Sequence, residues 1–288
     1  MAMRTRFLPR LINSEVEDYL EKNDIIIVPV GTVEMHGGMP LDCETVLSEA
    51  FALKMAESCD GLVLPNLPYF YAGATASGRG TTQVSIRQGI DYLGAIARSL
   101  LRQGFKRQIY ISLHGPAHMT CSPMVRDFFD ETGTPILYID MVMQMLYHAK
   151  DLFVVNSQEE YMKIFDSMIL GAYDILGRLE DVPITSDYSE VKKQTVAAFD
   201  PIFSLAYQSG SIGYCFGAPT DHMPTTAIRS AEERQSLADE GKRLIEELVK
   251  RINMQQVVQQ MQDLSEFENN VMDQYPWMPA AAQKNKKK

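Results

Sequence analysis

Residues Ile25-Ile26-Ile27-Val28-Pro29-Val30-Gly31 form an unbroken apolar run, rich in β-branched side chains and closed by glycine. A strand apolar on both faces has to be covered on both, which is the condition of a parallel sheet buried between helices. Directly after it comes "VEMHGGMPLDCE", where Glu34, Asp42, Glu44 and His36 crowd into the loop at the strand's end. Charge is concentrated where a parallel sheet binds its ligands, outside the carboxyl ends of its strands.

The same alternation continues. Ser14-Glu15-Val16-Glu17 has capping-box spacing and predicts a helix to about Glu21. After the charged loop a helix is expected from near Thr45 to Cys59-Asp60-Gly61, then a second strand over Gly61–Pro65. "PYFYAGATASGRGTT", residues 68–82, has no period and reads as a long loop, a kind of segment that tends to be functional. A helix from Gln88 to Gln103, a third strand from Arg107 to Leu113, a helix from Thr120 to Glu131 and a fourth strand from Pro135 to Met141 follow. Met141, Met143 and Met145 fall at a helix start, as core or interface filler. Beyond Ala149 the pattern predicts a helix from Gln158 to Leu179, irregular chain to Gly213, a turn-rich "GYCFGAPTDHMPTT", and a helix from Ala231 to about Met261. Residues 262–288 read as a polar tail on a single domain spanning 1–288, of three-layer α/β/α class with right-handed crossovers.

Composition excludes several classes. The net charge of −10 opposes a nucleic-acid surface, which needs a positive field. No window reaches the ~18 apolar residues that cross a bilayer, and the N-terminus lacks a secretory pattern, so a cytoplasmic protein without membrane contact is expected. Cys43, Cys59, Cys121 and Cys215 are widely spaced and read as reduced thiols. "GATASGRG" does not join a strand to a helix, and no G-x-G-x-x-G follows a strand, which argues against a nucleotide loop and a dinucleotide-binding oxidoreductase.

Three of the five histidines, His36, His114 and His118, lie in two loops that this topology places together. Carboxylate oxygens and imidazole nitrogens hold hard and borderline divalent metals, and Glu34, His36, Glu44 and His114 supply such a set. The expected chemistry is hydrolysis by activated water. Asp221-His222 could serve as a general acid/base pair over the metal. Tyr69, Tyr71, Arg79 and Thr81 could orient a polyhydroxy or carboxylate substrate, while aromatic loop residues equally serve subunit packing.

These segments resemble the creatininase family. "VPVGTVEMHGGMPLDCET" is similar to its Pro-x-Gly-[Ser/Thr], Glu-x-His-Gly and Leu-Pro-Leu-Gly-Thr-Asp-Thr signature; "GRGTTQVSI" resembles Phe-Pro-Gly-Thr-[Ile/Leu]-Ser-Leu; "GFKRQIYISLHGPAH" resembles the strand ending in Asn-Gly-His-Gly-Gly-Asn. Order and spacing agree over residues 20–140, and "GAPT" at Gly217 to Thr220 weakly resembles a late Gly-Asp-Pro-Thr. The resemblance implies an α/β/α fold, one or two divalent ions (zinc first, manganese or iron as alternatives), hydrolysis of C–N bonds in small, often cyclic amides, and a homo-oligomer, commonly a hexamer. It implies metal ligation by Glu34, His36 and His114, with Glu44 at the family's ion-bridging aspartate.

Several positions depart from the pattern. A one-residue deletion after Gly38 removes a second histidine, Ser112-Leu113-His114 replaces Asn-Gly-His, and Pro116 stands where creatininase itself has a glutamate. A second ion would need another donor, from His118, Asp42 or His222, and creatinine itself is disfavoured as substrate. Alternatives are ring-opening C–C hydrolysis of a cyclic polyhydroxy ketone of the 3-dehydro-scyllo-inosose (diketo-inositol) type, formamide deformylation, or, in another class, a non-catalytic metal-stabilised ligand-binding subunit. His118, Asp221 and His222 are the catalytic candidates, and Tyr71, Arg79 and Thr81 the substrate-binding ones.

Overall fold

Four parallel strands form one sheet in the order β2-β1-β3-β4: β1 Ile25–Pro29, β2 Leu62–Val63, β3 Arg107–Ser112 and β4 Leu137–Asp140. The computed structural model describes residues 3–155, 157–184, 199–206, 212–217, 222 and 227–286. Its helices are α1 Asn13–Leu20, α2 Cys43–Cys59, α3 Ile86–Gln103, α4 His118–Thr132, α5 Met141–His148, α6 Gln158–Ile175, α7 Asp200–Phe203, α8 Ala231–Ile252, α9 Met254–Gln274 and α10 Pro279–Lys286.

The period of two along β1 builds the layers. Ile25 and Ile27 join Val63, Ile109, Ile111 and Ile139 in a core that α2, α6 and α8 cover. Ile26 and Val28 point the other way and join Leu62 and Tyr110 under α3 and α4. All five residues of β1 are buried, as a strand covered on both faces requires. Each buried Ile or Val contributes roughly 1.5–3 kcal/mol relative to exposure. The three-layer α/β/α expectation holds.

Local chemistry corrects several boundaries. The first helix starts one turn edge earlier than its capping-box reading: Glu15, not Glu17, reaches back, accepting from the Ile12 N–H at 2.9 Å. The second strand is only Leu62–Val63, since the chain leaves the sheet before Pro65, which has no N–H to give a ladder. The helix expected to reach Leu179 stops at Ile175, where Gly177 turns at φ +71°. Asn253, at φ +52°, splits the expected helix from Ala231 to Met261 into α8 and α9. The expected polar tail from residue 262 is mostly helical, with Met272, Ala280 and Ala281 buried. Met141 and Met145 are buried, as expected of core filler.

Helices α6 and α8 touch backbone to backbone. A methyl group at Gly241 would run into the Ser167 carbonyl, and one at Gly171 would strike the Lys242 amide. The four cysteines are free thiols. Among the described residues no helix is long and apolar enough to cross a membrane.

Candidate metal centre

The ends of β1 and β3 are tied to the first turns of α2. Thr45 donates its hydroxyl hydrogen to the Thr32 carbonyl at 2.8 Å, and Ser48 Oγ accepts from the Leu113 N–H at 3.2 Å. Gly31 makes the first contact possible, because a Cβ there would lie 2.6 Å from the Thr45 Cα. This close approach carries Glu44, in the first turn of α2, to the carboxyl ends of both strands. Glu34 and His36 sit not on a strand but in a loop, closed by Glu34 N–H to the Leu41 carbonyl (2.9 Å) and turned at Gly37, φ +56°.

Glu34, Glu44 and His114 meet there. His114 Nδ1 lies 3.1 Å from Glu34 Oε1 and 2.6 Å from Glu44 Oε2. One donor atom from each of the three residues falls within 4.8 Å of the others. Their exposures are 1%, 6% and 4%. The other ring nitrogen of His114 donates to the Tyr71 carbonyl at 3.0 Å, which leaves Nδ1 facing the carboxylates. Two carboxylate oxygens and an imidazole lone pair repel one another unless a cation sits among them, either a proton on His114 or a metal ion.

The titration behaviour has the same origin. Burial works against charge on His114, but the Glu34 and Glu44 carboxylates outweigh it and hold the imidazole well above its usual value. Burial also works to raise Glu34, yet the charge and hydrogen bond of His114 keep that carboxyl well below the usual range. Burial and then the Glu34 charge push Glu44 up to about 7.

His36 stands beside them, 1% exposed. Neither ring nitrogen has a hydrogen-bond partner among the described residues, and Nε2 lies 3.9 Å from Glu44 Oε1. Burial, and then the neighbouring His222, push it down to about 4, so it is neutral at pH 7 with a lone pair to offer. Its ring lies over Phe165 at 6.0 Å and edge-on to His222 at 5.2 Å. His222 Nε2 is buried too, with no hydrogen-bond partner among the described residues, and burial lowers this imidazole as well. Unpaired buried nitrogens beside carboxylates fit a metal-binding centre.

The other sequence candidates are placed as follows. Asp42 is a correction: its carboxylate accepts from the Tyr173 hydroxyl of α6 at 2.5 Å and pairs with Arg178, just beyond that helix, at 2.8 Å, so it is committed to them rather than to an ion. His118 Nδ1 is bonded to the Gly115 carbonyl at 2.8 Å. Thr81 accepts from the Met35 N–H (3.1 Å) and donates to the Thr75 carbonyl (3.0 Å), bracing the two loops. Arg79 is exposed, Tyr71 half-buried, and Asp221 lies outside the described residues.

Sequence reasoning missed two hydroxyls. Thr75, in a short turn over Gly73–Ser77, donates to Glu34 Oε2, and Thr32 Oγ1 lies 3.3 Å from Glu34 Oε1 and 3.1 Å from Glu44 Oε2. Thr32 stood in the quoted Pro-x-Gly-[Ser/Thr] segment; Thr75 lies in aperiodic loop and carried no signal. Thr32→Val and Thr75→Val should each weaken zinc affinity roughly 10- to 100-fold, while Thr32→Ser keeps it. A competition titration with a chelating dye measures this, and unchanged affinity in both valine variants would remove these hydroxyls from the centre.

Comparison with known proteins follows the same residues. Residues 10–166, more than half of the chain, match the family model of creatininase, creatinine amidohydrolase. A 3-dehydro-scyllo-inosose hydrolase of Thermotoga maritima is 31% identical over 107 residues, 35% of this chain and 33% of that protein. A creatinine amidohydrolase of Pseudomonas putida is 30% identical over 115 residues, 38% of this chain and 44% of that protein. The chain thus spans less than half the length of these curated relatives in the matched stretch. A solved mutant creatininase shares the fold with a TM-score of 0.59 at 19% identity, covering 87% of this chain and 99% of that one. Other creatininase structures of this fold are described as a manganese form and as a Zn-Zn type. With the matched span enclosing the strand ends, both loops and every donor of the carboxylate and imidazole cluster except His222, the chain belongs to the creatininase family.

Proposed function

We propose that this protein is a metal-dependent hydrolase that attacks a carbonyl carbon of a small, cyclic substrate. The observation that carries the reading is the buried convergence of Glu34, Glu44 and His114 beside His36, whose two ring nitrogens lack hydrogen bonds among the described residues. Glu34, Glu44, His114 and His36 would hold the ion, zinc first, with manganese or iron as alternatives. When bound, the cation supplies a nucleophile from water at neutral pH and polarises the attacked carbonyl. Thr32 and Thr75 keep the two carboxylates oriented. Phe165 and Phe216, stacked near His36 and His222, form an apolar wall that limits water at the reacting carbonyl. Proton delivery to the departing atom is assigned to His118, steadied by the Gly115 carbonyl. His118→Ala should lower kcat roughly 10²- to 10⁴-fold with metal content unchanged. Loss of metal from that variant would instead make His118 a ligand.

Amide C–N hydrolysis is the leading reaction. A second reading, ring opening of a cyclic polyhydroxy ketone, is favoured by the Thermotoga relative's activity and by Pro116, which leaves no carboxylate two positions after His114. The test is turnover of lactams, cyclic ureas, formamides and inosose-type ketones by chelated protein before and after zinc or manganese is restored. Undiminished turnover by protein shown to be metal-free would sink the proposal. We read the protein as a cytoplasmic homo-oligomer acting on a small molecule; sedimentation measures the assembly.

Metal uptake should also expel a proton. The metal-free centre holds His114 above its ordinary value, so the imidazolium persists at neutral pH and competes with the ion. Apparent zinc affinity should therefore fall about tenfold per unit as pH is lowered through neutrality, for each proton displaced. Calorimetry in buffers of different ionisation enthalpy counts the protons, and a pH-independent affinity would contradict the exchange.

A further inference from the structure

We infer that a cavity just past the carboxyl end of β2 binds a small zwitterion, its carboxylate held by Arg10 and Arg178 and its ammonium by Glu49. The place is built from separate segments. Phe7 lies beside Val63 of the edge strand β2, where the Val63 N–H donates to the Arg6 carbonyl at 2.8 Å. The turn that follows carries Arg10 back over the Phe7 ring, with the guanidinium carbon 4.5 Å from its centroid. Glu49 comes from α2, Leu176 and Arg178 from the chain just beyond α6, and Asn66 from the loop after β2. Between them lies a cavity of about 230 Å³. That is below the roughly 300–1,000 Å³ of pockets for drug-sized ligands, so its occupant is a smaller molecule. None of Glu34, His36, Glu44 and His114 lines it.

The charges around this cavity are incompletely matched. Arg4 and Arg6, which line the adjoining groove, are paired with Glu15 at 2.9 Å and Asp60 at 2.5 Å. Arg10 has no carboxylate partner among the described residues. Arg178 gives Nη1 to Asp42 at 2.8 Å and Nε to Asp181 at 2.7 Å, which leaves its Nη2. Glu49 Oε1 accepts from the Asn66 N–H at 2.8 Å, and Oε2 takes no hydrogen bond among the described residues. Burial raises this carboxyl, while the Asn66 N–H and then the Arg178 and Arg10 charges work against that, so both guanidiniums lie within its electrostatic reach. Two cations with N–H groups to give and one carboxylate oxygen therefore border one small space. A simple anion meets the Glu49 charge there and a simple amine meets the arginines, whereas a zwitterion pairs with both.

The ligand class deepens the amide reading above and rests on it. When water opens a cyclic amide, its hydroxyl goes to the carbonyl carbon, the C–N bond breaks and the nitrogen takes the hydrogen. The product carries a carboxylate and an ammonium on one molecule at neutral pH. The cavity is fitted to a molecule of that kind, apart from the centre where the ring opens.

Isotope-labelled full-length protein, with zinc present, is titrated separately with γ-aminobutyrate, butyrate and butylamine while backbone amide shifts are followed by NMR. γ-Aminobutyrate should shift the amides of Arg10, Glu49, Asn66 and Arg178 saturably, and each single-charge probe should bind there roughly tenfold more weakly, or less. Arg10→Met should weaken γ-aminobutyrate roughly tenfold or more, as should Glu49→Gln, whose amide oxygen can still accept from the Asn66 N–H. Circular dichroism checks that the variants are folded, and the comparison of the three probes on wild type stands without them. No saturable shift at these residues, butyrate or butylamine binding as tightly, or unchanged affinity in either folded variant overturns the site. Lactams left intact by the protein would sink the amide reading and leave this binding result standing, so the two failures are distinguishable.

Discussion

With His114 replaced by alanine, the protein should lose zinc from the Glu34–Glu44 position and its kcat/KM should fall roughly 10³- to 10⁴-fold, the equivalent of losing several kcal/mol of electrostatic catalysis. The same change should destabilise the metal-free fold by about 3–5 kcal/mol, because it removes the counter-charge of a buried pair. Glu34 and Glu44 would remain almost fully buried with no imidazolium between them. The pH dependence has a definite sign. Burial and Glu34 already raise Glu44 to about 7, and a carboxyl raised in the folded state costs stability above its unfolded value and regains it as pH falls. The variant should thus be least stable in mild alkali and recover towards pH 5. Thermal unfolding across pH, with metal analysis, tests both parts. A variant that binds zinc like wild type, or that melts at the wild-type temperature throughout, would show that His114 neither ligates nor compensates the carboxylates.

Gly241→Ala should cost about 3 kcal/mol or more, at the upper end of overpacking effects, since the added methyl meets the Ser167 backbone carbonyl rather than a side chain that can turn aside. For a chain of this size that is a fall in melting temperature of roughly 6–10 °C. The consequence should reach the metal centre, because α6 carries both Ser167 and Phe165, and Phe165 lies over His36. Differential scanning calorimetry and zinc affinity measure the two effects. A melting temperature within about 2 °C of wild type would mean that the helices separate freely there, and that the close crossing is not what sets their spacing.

Periodicity and punctuation alone made the alternating half of the chain legible. Ile25 to Pro29 cannot be other than a strand covered on both faces, and Gly104 at φ +110° ends α3 where the glycine stands. The loops that carry Glu34, His36 and His114, and the start of α2 that carries Glu44, could be placed at the sheet's carboxyl edge for the same reason. Less was legible where the deciding contact is not local. Asp42 and Glu44 are two residues apart and chemically alike, yet one turns to Tyr173 of a later helix and Arg178 just beyond it, and the other to His114. Residue type and local period do not distinguish them; only the resemblance of the surrounding motif singled out Glu44.

What the amino-acid order determined by itself was therefore the layer architecture and the chemical kind of the centre, because hydrophobic period and donor type are properties of single segments. Only the tertiary structure decided which donors face one another. Thr32 and Thr75 brace the carboxylates, His222 arrives beside His36 from 186 positions away, and Gly241 lets α8 lie against the helix that bears Phe165. Those relations depend on distances between segments far apart in the chain, and short-range pattern carries no record of them.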